Sequence, residues 1–141
     1  MREILFKAKR KDNGEWVEGY YLKYIKPSNG EIEHRIFVSD GDGVTWYTVT
    51  EDTLCQYTGL TDKNGKKIWE NDIVNVESGA MGSPYFDGMI GKIIFTECAF
   101  FVEPNNKAES TWLFDECAEH EVLGNIFDNP ELMKGEEHET D

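Results

Sequence analysis

Short apolar–polar alternations, broken every few residues by Gly, Asn, Asp or Pro, run along most of the 141-residue chain. A period of two sends successive side chains to opposite faces of a strand, whereas a helix repeats its apolar positions at three and four. On this pattern residues 3–9 (EILFKAK) form a first strand, and residues 11–14 (KDNG) turn it back with Asn-Gly at the tip, the strongest local hairpin signal. Residues 15–25 form the partner strand, with Gly19 marking a break or bulge. A second Asn-Gly turn over 27–33 leads to a strand at 34–40, DGDG turns at 40–43, and 44–49 is a strand. Residues 50–53 (TEDT) can cap a single helical turn or form a loop before a short strand at 54–57.

The second half continues in the same style. A third Asn-Gly turn lies at 62–65, followed by KKIW at 66–69 and a strand at 71–77. Residues 78–88, with three Gly and a Pro, are the largest breaker region. The most apolar segment, 89–104, reads as two strands or one long bent strand around 96–98. A turn at 105–110 precedes a strand at 111–117, and 121–133 begins as a strand and ends in a Pro-led turn. Residues 135–141 hold no apolar side chain and read as disordered. About nine or ten short strands with Gly-rich turns and little helix predict an all-β protein. The expected organisation is an N-terminal β-hairpin region over 1–55, an SH3-like or similar small β-barrel over 56–133, and an acidic tail over 134–141.

Composition narrows the function classes. Eight Phe, six Tyr and four Trp suit pleated, half-buried surfaces. The 28 acidic residues against 14 basic ones give a net charge of −14. That field repels phosphate backbones and anionic membranes and suits solubility or a basic protein partner. Cys55, Cys98 and Cys117 are an odd, unclustered set, unlike a secreted disulfide framework. The N-terminal MREILFKAKRK lacks a signal-peptide core, and no apolar run approaches the roughly 20 residues of a membrane span. The compartment implied is the cytoplasm, with no membrane association.

Candidate chemistry is sparse. Asp62, Asn64 and Gly65 resemble the start of a calcium loop, but Gly comes too early, Lys66 and Lys67 stand where ligands belong, and flanking helices are absent. A tight hairpin turn accounts for them better. Glu70 and Asp72 lie two apart and on a strand would face one side. Such a pair can do acid–base work or hold a divalent ion, as in a metal-dependent hydrolase, but no third ligand accompanies it. The plainer role is that one carboxylate accepts backbone N–H groups where the chain enters the strand at Ile73, while the other faces water. Cys98, Cys117 and His120 offer three zinc ligands where a structural site wants four, and FTECAFFV around Cys98 reads as core strand. Trp69 after Lys66 and Lys67, with the basic N-terminus of five bases against one acid, suggests a stacking surface for single strands. The overall charge disfavours nucleic acid, and core or protein-interface aromatics are the better reading. No Walker or dinucleotide glycine pattern is present, and no cofactor is expected.

Three blocks, taken in order, carry a resemblance. They are ILFKAKRKDNGEWVEGY at 4–20, QYTGLTDKNGKKIWENDIV at 56–74 and EVLGNIFDNPELM at 121–133. Together they resemble the YopX-like proteins of phages and prophages of Gram-positive bacteria. The resemblance implies a mainly-β fold, a barrel-like C-terminal part and association into homo-oligomers, and it carries over no catalytic residue. The family pattern has Gly between the two acids of the central block, where this chain has Asn71. Asn tolerates positive φ, so the same bend is expected at Asn71. The functional reading is therefore a non-enzymatic phage accessory protein working through contacts with a host or phage protein and with its own copies. Lys66, Lys67, Trp69, Glu70 and Asp72 are its candidate interaction surface. A nucleic-acid-associated regulatory barrel and a metal-dependent hydrolase are the alternatives.

Overall fold

The computed structural model describes residues 3–78, 88–105, 110–114 and 118–134, and it is all-β. The central part of the breaker region, the acidic tail beyond Lys134 and Cys117 lie outside the described residues. Eleven strands are present among the described residues: β1 (Phe6–Lys9), β2 (Trp16–Ile25), β3 (Ile32–Ser39), β4 (Val44–Thr48), β5 (Cys55–Thr61), β6 (Lys67–Trp69), β7 (Asp72–Ser78), β8 (Met89–Thr96), β9 (Ala99–Pro104), β10 (Thr111–Trp112) and β11 (Ala118–Asn125). Two single 3-10 turns, Glu51–Thr53 and Pro130–Met133, fall where the capping run and the Pro-led segment place them. The chain divides into two compact units, Met1–Gly59 and Leu60–Asp141, with the division inside β5.

In the first unit the strand order is β4-β3-β2-β1-β5, and all the pairings are antiparallel. The two Asn-Gly turns are built alike. Arg10 N–H donates to Glu15 O and Lys26 N–H to Glu31 O, both at 2.8 Å. Within each loop the Asn side chain, Asn13 or Asn29, accepts the N–H two residues on at 2.9 Å. Gly14 and Gly30 close the loops at φ of 74° and 75°, in the left-handed region that Gly enters without a Cβ clash. Gly19 does not break β2, which runs unbroken from Trp16 to Ile25. Its role is close approach: a Cβ there would lie 2.1 Å from the Phe37 carbonyl oxygen. One face of the sheet buries Ala8, Ile36 and Val49, with Phe6, Val17, Tyr21, Val38 and Leu54 packed against them.

In the second unit the order is β10-β9-β8-β7-β11, again antiparallel. The end of β5 and the short β6 lie over this sheet. Ile68 of β6 joins Val74, Val76, Ile93, Val102 and Leu113 in one buried cluster, edged by Leu60, Met89, Phe100, Ala118 and Val122. Each such aliphatic side chain contributes roughly 1.5–3 kcal/mol on leaving water. The result is barrel-like in its two-layer packing, yet the described strands do not close, and β10 and β11 remain sheet edges.

The apolar run 89–104 resolves into β8 and β9 with Glu97 and Cys98 between them. Both central residues have positive φ, 49° and 64°, the arrangement of a type I′ hairpin turn. Cys98 is therefore exposed at the hairpin tip. This corrects the expectation of a core-strand cysteine, because the turn leaves no strand position there. Type I′ turns favour Asn-Gly, and left-handed conformations cost an ordinary L-residue roughly 1–2 kcal/mol. Replacing Glu97 by Asn and Cys98 by Gly is expected to raise the unfolding free energy by about 1–2 kcal/mol. Urea unfolding with an unchanged m-value checks this.

Candidate interaction site

The stretch 62–74 contains two buried carboxylates, and both are occupied by backbone. Asp62, 7% exposed, opens the β5–β6 turn. Its Oδ1 accepts the N–H groups of Asn64 and Lys66, each at 2.9 Å, and the Asp62 carbonyl accepts Gly65 N–H at 3.0 Å. Gly65 takes φ of 81° and closes the loop with a bulge. The other carboxylate oxygen, Oδ2, accepts Val122 N–H from β11 at 2.9 Å. Beside it Lys63 N–H donates to His120 O at 2.9 Å. The turn is thereby stitched to β11 next to the register shift between Val122 and Gly124. Burial pushes the Asp62 carboxyl up, but the amides of Val122, Lys66 and Asn64, helped by the Lys66 charge, outweigh it, and the pKa lies below the usual carboxylate value.

Asp72 does similar work at the next bend. It is 2% exposed, and its Oδ2 accepts Trp69 N–H at 2.8 Å. Between them Asn71 takes φ of 70°, the bend that the family's Gly at this position implies. Asn71 N–H donates to Ile93 O at 2.9 Å and its carbonyl accepts Ile126 N–H at 3.1 Å. The chain thus leaves β6 and enters β7 through two residues. Of the five residues marked out by sequence as a surface, Trp69 and Asp72 are buried, Lys67 and Glu70 are half-buried, and Lys66 is exposed. Among the described residues no three of His, Cys, Asp and Glu come together as a metal-ligand set.

A different surface gathers the exposed aromatic side chains of the first unit. Register places Tyr20 beside Phe37 and Phe37 beside Trp46, and places Leu22 beside Arg35 and Tyr24 beside Glu33. Alternation puts this set on the face opposite Ile36. Tyr20 is 61% exposed and Trp46 45%, with Leu22 and Val44 also open to solvent. The Arg35 guanidinium carbon lies 3.9 Å from the Tyr24 ring centroid and 3.8 Å from that of Trp46. Glu33 accepts from Arg35 at 2.8 Å and pairs with Lys26 at 3.2 Å, and these partners, Arg35 foremost, lower its pKa. Arg35 is thus held flat between two rings, and its planar fork is pre-organised. Sequence reading passed over this face because β2 carries large apolar residues in both alternating sets from Tyr20 on, Lys23 apart. Tyr20, Leu22 and Tyr24 alternate with Tyr21, Lys23 and Ile25, and that two-sidedness is the signal that marks an exposed apolar face.

A model of the YopX protein family matches residues 5–134. The chain belongs to the YopX family. Two solved structures share the fold. Protein yopX of Bacillus subtilis aligns with a TM-score of 0.54 and 21% identity, covering 94% of this chain and 98% of that one. Protein EF1440 of Enterococcus faecalis aligns with a TM-score of 0.51 and 23% identity, covering 94% of this chain and 99% of that one. No curated protein matches. The YopX match takes in the Asp62 turn, the Asn71 bend and β11, so the central and C-terminal blocks of the sequence meet in one hydrogen-bonded arrangement.

Hydrogen bonds to a charged acceptor contribute about 1.5–3 kcal/mol, and a buried amide left unpaired adds its own penalty. Asp62→Ala is therefore expected to cost about 3 kcal/mol or more, and Asp62→Asn about 2, since an amide can still accept at one oxygen but turns N–H toward N–H at the other. The Asp62 pKa is depressed in the folded state, so its contribution is fully present above the unfolded value of about 4 and is lost as pH falls through the folded one. Unfolding free energy measured from pH 7 downward should show a steeper acid loss in the native protein than in Asp62→Asn.

Proposed function

We propose that this YopX-family chain is a non-enzymatic phage or prophage accessory protein that acts in the host cytoplasm through protein contacts, beginning with contacts to its own copies. The observation that carries this reading is the outer face of β2, β3 and β4. Exposed Tyr and Trp flanking a pre-organised Arg are the residue types that dominate binding energy at protein interfaces, and contiguous apolar surface on a soluble chain marks an interaction site. Arg35 and Glu33 side by side also suit a two-fold contact, where each copy offers the acid to the other's base. The buried position of Asp72 weakens the hydrolase alternative, because its carboxylate is spent on Trp69 N–H. No helix among the described residues is long and apolar enough to cross a membrane.

One observation favours a second reading. Lys7 and Lys9 hold their ammonium groups 4.7 and 5.4 Å from the Trp16 ring centroid. Register places all three on the outer face with Glu18, so the aromatic surface has a basic end that single-stranded nucleic acid could stack against.

Salt separates the two readings. Copies that each carry a charge of −14 repel one another, so self-association should strengthen when low salt is raised to about 0.15 M, where the Debye length shortens to about 8 Å. Nucleic-acid binding would weaken over the same range. Sedimentation at micromolar concentration is expected to show a dimer or larger species for the native chain and a folded monomer, with the same far-UV circular dichroism, for Trp46→Ser/Tyr20→Ser. Monomer alone in both, at both salt concentrations, would overturn the reading.

A further inference from the structure

On the opposite face of the same sheet, a cleft of about 310 Å³ is lined by Lys11, Lys23, Ile32, His34, Val49 and Glu51. Four segments build it. Lys23 and His34 are direct neighbours across β2 and β3. Lys11 begins the β1–β2 turn and is fixed by donation of its N–H to Thr48 O at 2.9 Å. Glu51 comes from the 3-10 turn after β4. Among the described residues, the Lys11 and Lys23 ammonium groups form no ion pair, in a chain with twice as many acids as bases.

His34 is oriented from below. Its Nδ1 lies 2.6 Å from the Tyr21 hydroxyl, and the two rings stack at 5.8 Å with an interplanar angle of 7°. Burial, with the Glu51 charge, pushes the Tyr21 hydroxyl pKa up. The Glu51 carboxylate can only accept and faces Nε2, so in the neutral ring Nδ1 is left to accept from the Tyr21 hydroxyl. In the neutral ring the hydrogen then resides on Nε2. Nε2 lies 3.3 Å from the Glu51 carboxylate, while the His34 side chain is only 14% exposed and that of Glu51 is 70% exposed. The cleft is thus lined by two lysines and one aimed N–H, and an exposed, displaceable carboxylate already sits at the N–H. With the Glu51 carboxylate swung out into solvent, a dianion matches both lysines, whereas a monoanion leaves one uncompensated. Lys serves as a point-charge phosphate binder, and the volume is at the lower end of small-ligand sites. Ile32, largely exposed, supplies an apolar wall beside the polar end.

We propose that this cleft binds a phosphate-bearing small molecule, its dianionic group held by Lys11, Lys23 and His34 Nε2–H in the place the Glu51 carboxylate takes at rest. The site is independent of the outer interaction face and does not rest on that reading.

The test is a titration of the full chain, in low-chloride buffer, with inorganic phosphate and with phenyl phosphate, following the His34 ring resonances. Saturable shifts are expected with both, and tighter binding with phenyl phosphate because its ring meets Ile32. Lys11 and Lys23 are exposed, so Lys11→Ala/Lys23→Ala should keep the melting temperature and weaken binding at least about tenfold. Glu51→Gln removes the competing anion and should tighten binding several-fold. A change in net charge alone gives the same signs, so Lys92→Ala/Lys134→Ala, which removes the same charge outside the cleft lining, is the control and should leave binding within about twofold. His34 shifts that fail to saturate, or that persist unchanged in the double lysine variant, would overturn the proposal.

Discussion

The second unit depends on one buried carboxylate. Asp62 accepts two amides of its own turn and one from β11, sixty residues further along the chain. A short turn has little apolar surface with which to hold itself in place, so polar contacts must set its position. A carboxylate has enough lone pairs for all three amides, and its charge strengthens each bond. Charge burial is costly in general. Here the three amides reverse its effect on the carboxyl and keep it ionised.

Once the turn is fixed, the rest follows in sequence. β6 starts where Asp62 leaves it and lays Ile68 into the core. Three residues after Ile68 the Asn71 bend, bonded to Ile93 and Ile126, sends the chain into β7. Asp72 closes that bend on Trp69 N–H. The dense polar chemistry of this stretch resembles a catalytic motif because both uses require carboxylates held in place. In this protein the carboxylates hold backbone. In the first unit the two faces of the β2–β3–β4 sheet carry different side chains: rings and a clamped Arg outside, lysines and an oriented His on the other side.

Local signals in the sequence were legible to the extent that their physics is local. Asn13-Gly14 and Asn29-Gly30 announce hairpins, and hairpins form there with side-chain and backbone bonds closed within each loop. The positive φ at Asn71 was legible through the family resemblance, whose pattern has Gly there, rather than through a local signal. The hairpin at Glu97-Cys98 was not legible as a sharp turn, because neither residue is one that relaxes in a left-handed conformation, and cross-strand pairing of β8 with β9 imposes it. The burial of Asp62 and Trp69 was equally hidden. It depends on β11 and on the core beneath β6, which no window around residue 62 contains. The cleft required four separate segments to converge, so its lysines and His34 looked like ordinary surface residues one at a time.

The central claim is that the Asp62 carboxylate couples the β5–β6 turn to β11. Amide hydrogen exchange in the native protein and in Asp62→Asn, compared residue by residue under native conditions, tests it most directly. The account predicts that Val122 and its β11 neighbours lose protection together with Asn64 and Lys66, while the β8–β9 ladder keeps its own. Loss confined to Asn64 and Lys66, with Val122 as protected as before, would contradict it.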